Sequence, residues 1–132
     1  MKTNFRIILL MAAVMGFASA CSNGTKEAES VANDFLASYF ATDYQTAAGC
    51  CTEELGEALM TAVQEYYQME ENIQKGVVDI SSQVVTTITS VEAVAKDSVI
   101  VKYDIDMPDS EPTLHSTLTI TSVDGKWRVA EF

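Results

Sequence analysis

The sequence predicts an α+β domain: helices first, then an antiparallel sheet of about four strands. Three observations carry this. Apolar residues recur at spacings of three and four from Glu27 to about Lys75, which is the period of helices with one buried stripe. After Gly76 the period falls to two and the residues become β-branched, as in half-buried strands. Turn residues then divide this second region near 95–97, 108–112 and 123–126. Helices and sheet each have one apolar face to bury, and packing the helices on the sheet satisfies both.

The first helix is expected from Glu27 to Ala41, with Ala28, Val31, Ala32, Phe35, Leu36, Tyr39 and Phe40 on its buried stripe. Asp43 is placed to cap a short turn over Tyr44 to Gly49, and Thr52 to cap a third helix whose first turn carries Glu53 and Glu54, acids at the positive helix end. That helix should bury Leu55, Ala58, Leu59, Ala62, Val63, Tyr66 and Tyr67 and run to Lys75, with Gly76 as its stop. Beyond Gly76 everything reads as strand: Val84–Val94, Ser98–Met107, Thr113–Thr121 and Trp127–Phe132. In the second strand Val99, Val101, Tyr103, Ile105 and Met107 share one face, and Lys102, Asp104 and Asp106 the other. In the third, Leu114, Leu118 and Ile120 point inward, which sends His115, Thr117, Thr119 and Thr121 to the opposite side. Val123-Asp124-Gly125-Lys126 is a hairpin signal.

Ahead of this domain, Lys2 and Arg6, the twelve-residue apolar run Ile7–Ala18 and the small residues Ala18-Ser19-Ala20 have the make-up of an export signal. Twelve apolar residues are too few to span a bilayer, which takes about 20. The small-small-Cys ending before Cys21 resembles the lipobox of bacterial lipoproteins, which implies that Cys21 becomes the acylated first residue. The expected organisation is therefore a signal peptide at 1–20, a lipidated tether at 21–26 and one domain at 27–132.

Residues 1–20 hold two of the eight basic residues and none of the 19 acidic ones, so the remainder has a formal net charge of −13. Such a surface is repelled by nucleic acid and by anionic headgroups, which excludes nucleic acid as a partner and leaves acyl chains as the means of membrane attachment. The neighbouring Cys50 and Cys51 have no metal-ligand spacing. One buried and one half-exposed thiol is the expectation, since a disulfide between adjacent residues needs a strained ring.

Ala18-Ser19-Ala20-Cys21, the helix Glu29-Ser30-Val31-Ala32-Asn33-Asp34-Phe35-Leu36 followed by Asp43-Tyr44, and the closing Asp124-Gly125-Lys126-Trp127-Arg128-Val129 together resemble a family. It is that of small Gram-negative envelope lipoproteins of unknown function with a nuclear transport factor two-like, or cystatin-like, domain. The resemblance spans about residues 27–132 and implies a curved sheet wrapped around a helix, often with a pocket at the mouth of the cone. It implies no reaction. It also implies a cell-envelope location, with the outer membrane favoured because Ser22 is not the aspartate associated with inner-membrane retention.

Enzymes on this scaffold, such as ketosteroid isomerases and dehydratases, place an Asp or His inside the cone beside a tyrosine. Tyr103 is the inward tyrosine here, but Asp104, Asp106 and His115 alternate away from it. Tyr39, Tyr66, Tyr103 and Trp127 are candidate pocket residues for an apolar ligand, although the same spacing suits a core. Asp104, Asp106, Asp109 and Glu111 lack the glycine and terminal glutamate of a calcium loop, so no metal or other cofactor is expected. Asp97-Ser98-Val99 resembles an envelope O-glycosylation acceptor, making Ser98 a candidate modification site. These readings converge on a lipid-anchored binding module for a small apolar ligand or a protein, without catalysis. An isomerase- or dehydratase-like enzyme is the second reading. A subunit that dimerises through the open sheet face is the third.

Overall fold

The computed structural model describes residues 24–109 and 112–132. The expected signal peptide and Cys21 lie outside the described residues. The first helix, α1, occupies residues 24–40; it takes in Gly24, Thr25 and Lys26, which the sequence assigns to the tether. Its expected stripe holds: Ala28, Ala32, Phe35 and Leu36 are buried, with Val31, Tyr39 and Phe40 packed against them. Ser38 is buried too, and its hydroxyl donates to the carbonyls of Asp34 and Phe35, so no polar atom is left unpaired.

Asp43 caps α2 (Tyr44–Gly49) by accepting from the Thr46 amide at 3.3 Å and hydroxyl at 2.7 Å. Thr52 caps α3 (Glu53–Tyr67), its hydroxyl accepting from the Leu55 amide. The two helices meet closely at Gly56, where a Cβ would stand 3.0 Å from the Ala48 carbonyl oxygen, so a larger residue there would push the backbones apart.

The long third helix expected to reach Lys75 is two helices. The chain reverses over Gln68–Glu70 and α4 runs over Glu71–Gln83, so residues 77–83 are helical where strand is expected. No proline or glycine marks this break. It is held by Gln74, whose amide nitrogen donates to the carbonyls of Tyr67 at 3.3 Å and Met69 at 2.8 Å, and by the Tyr66 hydroxyl, which donates to the Gln74 carbonyl. These bonds occupy carbonyls that the end of α3 leaves free. On α3 only Leu59 and Val63 are buried, four residues apart on one face, while Ala58, Ala62 and Tyr67 fall outside that narrow stripe and are exposed rather than buried. No residue of α4 is buried.

Four antiparallel strands follow in the order β1 (Val85–Ala95), β2 (Ser98–Asp106), β3 (Leu114–Val123) and β4 (Lys126–Glu131). The β3–β4 turn has positive φ at Asp124 and Gly125, the requirement of the tight hairpin turn that suits sheet twist. Val99, Val101 and Tyr103 of β2, Leu118 and Ile120 of β3 and Val129 of β4 join the α1 stripe in one core. Leu114 is on the expected face, opposite Ile105, but half-exposed, because this end of β3 extends past the helical cover.

A short parallel bridge ties the helical layer to the sheet. The Thr52 amide donates to the Val129 carbonyl and the Val129 amide to the Cys50 carbonyl, both at 2.8 Å. The outer edge of β4 is thereby paired at Val129 by the α2–α3 connection. Among the described residues, no helix is long and apolar enough to cross a membrane.

Gly76, expected to end a helix, sits inside α4, and nothing lies within 4 Å of an added Cβ there. Replacing it with alanine removes backbone freedom from the unfolded chain without a clash. Gly76→Ala should raise stability by about 0.5–1 kcal/mol, read as a higher urea midpoint at unchanged slope.

Candidate functional site on the outer face of the sheet

The side chains of β2 and β3 that point away from the helices build an open concavity with several polar side chains on its lining. Lys102 faces Thr117 and Asp104 faces His115 across the β2–β3 ladder. At β1 the register shifts between Ile88 and Ser90, and the displaced Thr89 donates from its hydroxyl to the Lys102 carbonyl at 3.3 Å. The bulge draws Thr89 to the rim. Thr89, Lys102, Asp104, His115 and Thr117, together with Tyr103 and Ser116, line an open depression of about 440 Å³.

Its centre is the His115–Asp104 pair, with Nδ1 and Oδ1 separated by 2.6 Å. An ionised carboxylate only accepts, so Nδ1–H donates and Nε2 is left facing solvent. The imidazole is three-quarters exposed, whereas the carboxylate is mostly covered. Such a pairing fixes the ring's orientation and tautomer. Nearby, Asp106 accepts from the Thr113 hydroxyl at 2.6 Å, so Asp104 and Asp106 each have a neighbouring donor. Among the described residues, no cluster of three or more His, Cys, Asp or Glu side chains is arranged to hold a metal ion.

The four candidate pocket residues are not gathered in one place. Tyr39 stacks on Phe35 at 5.7 Å between ring centroids and contacts Phe40, Tyr44 and Phe132 edge-on or tilted. Tyr66 continues this line of rings from Tyr44 to Tyr67. Burial among these rings pushes the Tyr44 hydroxyl above its ordinary pKa, and Tyr39, Tyr66 and Tyr67 add to it. Trp127 lies half-buried on β4 against Gly24, where a Cβ would stand 3.1 Å from the indole. Only Tyr103 borders the depression. Ser98 is the half-buried first residue of β2, paired with Ala95 on one side and Thr121 on the other, just past the turn at 95–97.

The His115–Asp104 pairing was not foreseen, although the strands contained it. Reflecting the second and third strands about the middle of 108–111 sets residue 104 against residue 115. The observed register does so along the whole ladder, from Ser98↔Thr121 to Ile105↔Leu114.

Cys50 and Cys51 are both free thiols, one half-buried and one buried. Their sulfurs donate to the Thr46 and Ala47 carbonyls of α2. Arg128 of β4 donates to the Gly49 carbonyl beside them, placing a cation at the negative end of α2. Burial pushes Cys50 up, Asp34 adds to this and Arg128 opposes it. For Cys51 burial dominates and Cys50 adds, raising it from 9.0 to about 11. A raised acid pKa means the folded state holds its proton where the unfolded chain has lost it. Stability should therefore fall as pH rises from about 9 to about 11, and Cys51→Ala should flatten that part of the profile, read from urea midpoints across the range. In the native state at pH 8, iodoacetamide should leave Cys51 unmodified and label it only on unfolding.

No family model matches the sequence, and no curated protein is significantly similar to it. Among solved structures, the fold is similar to the crystal structure of an NTF-2-like protein of unknown function from Shewanella oneidensis MR-1. The TM-score is 0.54 at 13% identity, over 80% of this chain and 93% of that one. The architecture, helices packed on an open four-stranded antiparallel sheet, is thus similar to that of this NTF-2-like protein.

Proposed function

We propose that this protein is a lipid-anchored module of the bacterial cell envelope that binds a small molecule or a protein and performs no chemistry on it. One observation carries the reading. The helix-facing side of the sheet presents Tyr103 among Val99, Val101, Leu118, Ile120 and Val129, while Lys102, Asp104 and His115 collect on the open outer face. General acid–base work needs a titratable group held against a substrate that is shielded from water. Here the titratable groups stand at a solvent-filled depression, which suits recognition by hydrogen bonds and charge. Hydroxyls from Thr89 and Thr117 add neutral donors and acceptors at its rim.

Attachment through acyl chains on Cys21 follows from the export-signal pattern of residues 1–20 and from the acidity of the rest. An anionic headgroup surface would repel the domain, which favours a covalent anchor over electrostatic adsorption. The outer membrane is the favoured location.

The anchor is tested by separating membranes from soluble contents in cells making the full chain or Cys21→Ala. The native chain should sediment with membranes and weigh more than its sequence from residue 21 by the mass of its acyl groups; the variant should be soluble. A variant that stays with the membrane would contradict the anchor. For the binding role, the detergent-solubilised chain is equilibrated with envelope extract and weighed intact. Retention of a bound species that Lys102→Ala and His115→Ala each lose is expected. Retention indifferent to both substitutions would move binding away from the outer face.

A further inference from the structure

The two edges of the sheet are treated differently by the rest of the chain. The β4 edge is closed by the bridge from Cys51. Among the described residues the β1 edge is open: β1 is the first strand of the order and pairs only with β2. Proteins usually blunt a free edge by keeping it short, by placing charges and proline on it, or by bulges. β1 runs eleven residues, contains no proline and carries one charge, Glu92; its ladder is irregular only between Ile88 and Ser90 and between Ala93 and Ala95. It is also the strand the helices cover least. None of its residues is fully buried, and Val85 and Val94 are 59% and 51% exposed.

We propose that β1 is the pairing edge for a second copy of this chain, joined antiparallel across a two-fold axis into one continuous sheet. The strand's own pattern is self-complementary in that arrangement. The shift at Thr89 places Ile88 and Val91 on the helix side, opposite the buried Tyr103 and Val101 of β2, and Thr87 and Glu92 on the outer side, opposite Asp104 and Ile100. A two-fold axis between Thr89 and Ser90 then sets Ile88 against Val91 of the second copy and Thr87 against Glu92. Val85 likewise meets Val94, Thr86 meets Ala93 and Thr89 meets Ser90, so no pair sets like charges together and none sets a charge against an apolar residue. Charge selects this edge as well. Two copies with a formal charge of −13 each repel across an acidic surface, and a seam with one acid in eleven residues, which meets a threonine rather than its own copy, avoids that cost. Backbone hydrogen bonds supply the affinity, as in other strand-addition contacts.

The test uses the full chain in detergent, weighed by light scattering over a concentration series. The native chain should dimerise. Thr87→Glu, at an exposed position, sets two like-charge pairs against Glu92 across the axis and should weaken the dimer roughly tenfold. Adding Glu92→Lys to it should restore dimerisation, because the new pairs are of opposite sign; the two positions lie too far apart within one strand to compensate each other there. A native chain that stays monomeric throughout the series would overturn the proposal, as would a dimer that ignores both substitutions. Neither result bears on whether Cys21 anchors the chain or the outer face binds a ligand.

Discussion

Two backbone hydrogen bonds, from Thr52 to Val129 and from Val129 to Cys50, decide how the layers of this protein meet. They are short, they run parallel in a sheet that is otherwise antiparallel, and they fasten the α2–α3 connection to the last strand. Several features follow from that contact. Cys51 is buried against the sheet, Arg128 reaches the end of α2, and Gly56 is needed where α2 and α3 converge on the same point. One sheet edge takes part in internal structure, and the other, among the described residues, makes no backbone pairing within the chain.

The same contact separates the faces of the sheet by purpose. Toward the helices, Phe35, Leu118, Ile120, Val99, Val101 and Val129 are almost wholly buried, and each such side chain contributes roughly 1.5–3 kcal/mol relative to exposure. A ring series from Phe132 and Phe35 through Tyr39 and Tyr44 to Tyr66 packs beside it. Away from the helices, the alternation leaves threonines with Lys102, Asp104 and His115. A stable core on one face lets the other carry polar groups that add little to folding, and that face is free to be shaped by recognition.

Elements whose signal is local were legible in the sequence. The α1 stripe, the caps at Asp43 and Thr52, the β2 alternation and the Asp124-Gly125 turn each rest on residues within a few positions of one another. The break between α3 and α4 was not legible, because Gln74 makes it by reaching back to Tyr67 and Met69, and glutamine carries no turn preference. Gly76 misled for the complementary reason. A glycine looks like a stop, yet inside a helix it costs only about 1 kcal/mol relative to alanine, and α4 runs through it to Gln83. The outer-face site was half legible: alternation placed Asp104 and His115 on the same side, but their contact depends on strand register, which a loop between two prolines conceals.

The bridge is the claim on which the asymmetry of the two edges rests, and amide hydrogen exchange reads it directly. The amides of Thr52 and Val129 should exchange at rates set by global unfolding, in company with the amides of β2 and β3, while those of α4 exchange far sooner. If Thr52 and Val129 exchanged as quickly as α4, the helical layer would not be fastened to β4, and the account of one closed edge and one open edge would be wrong.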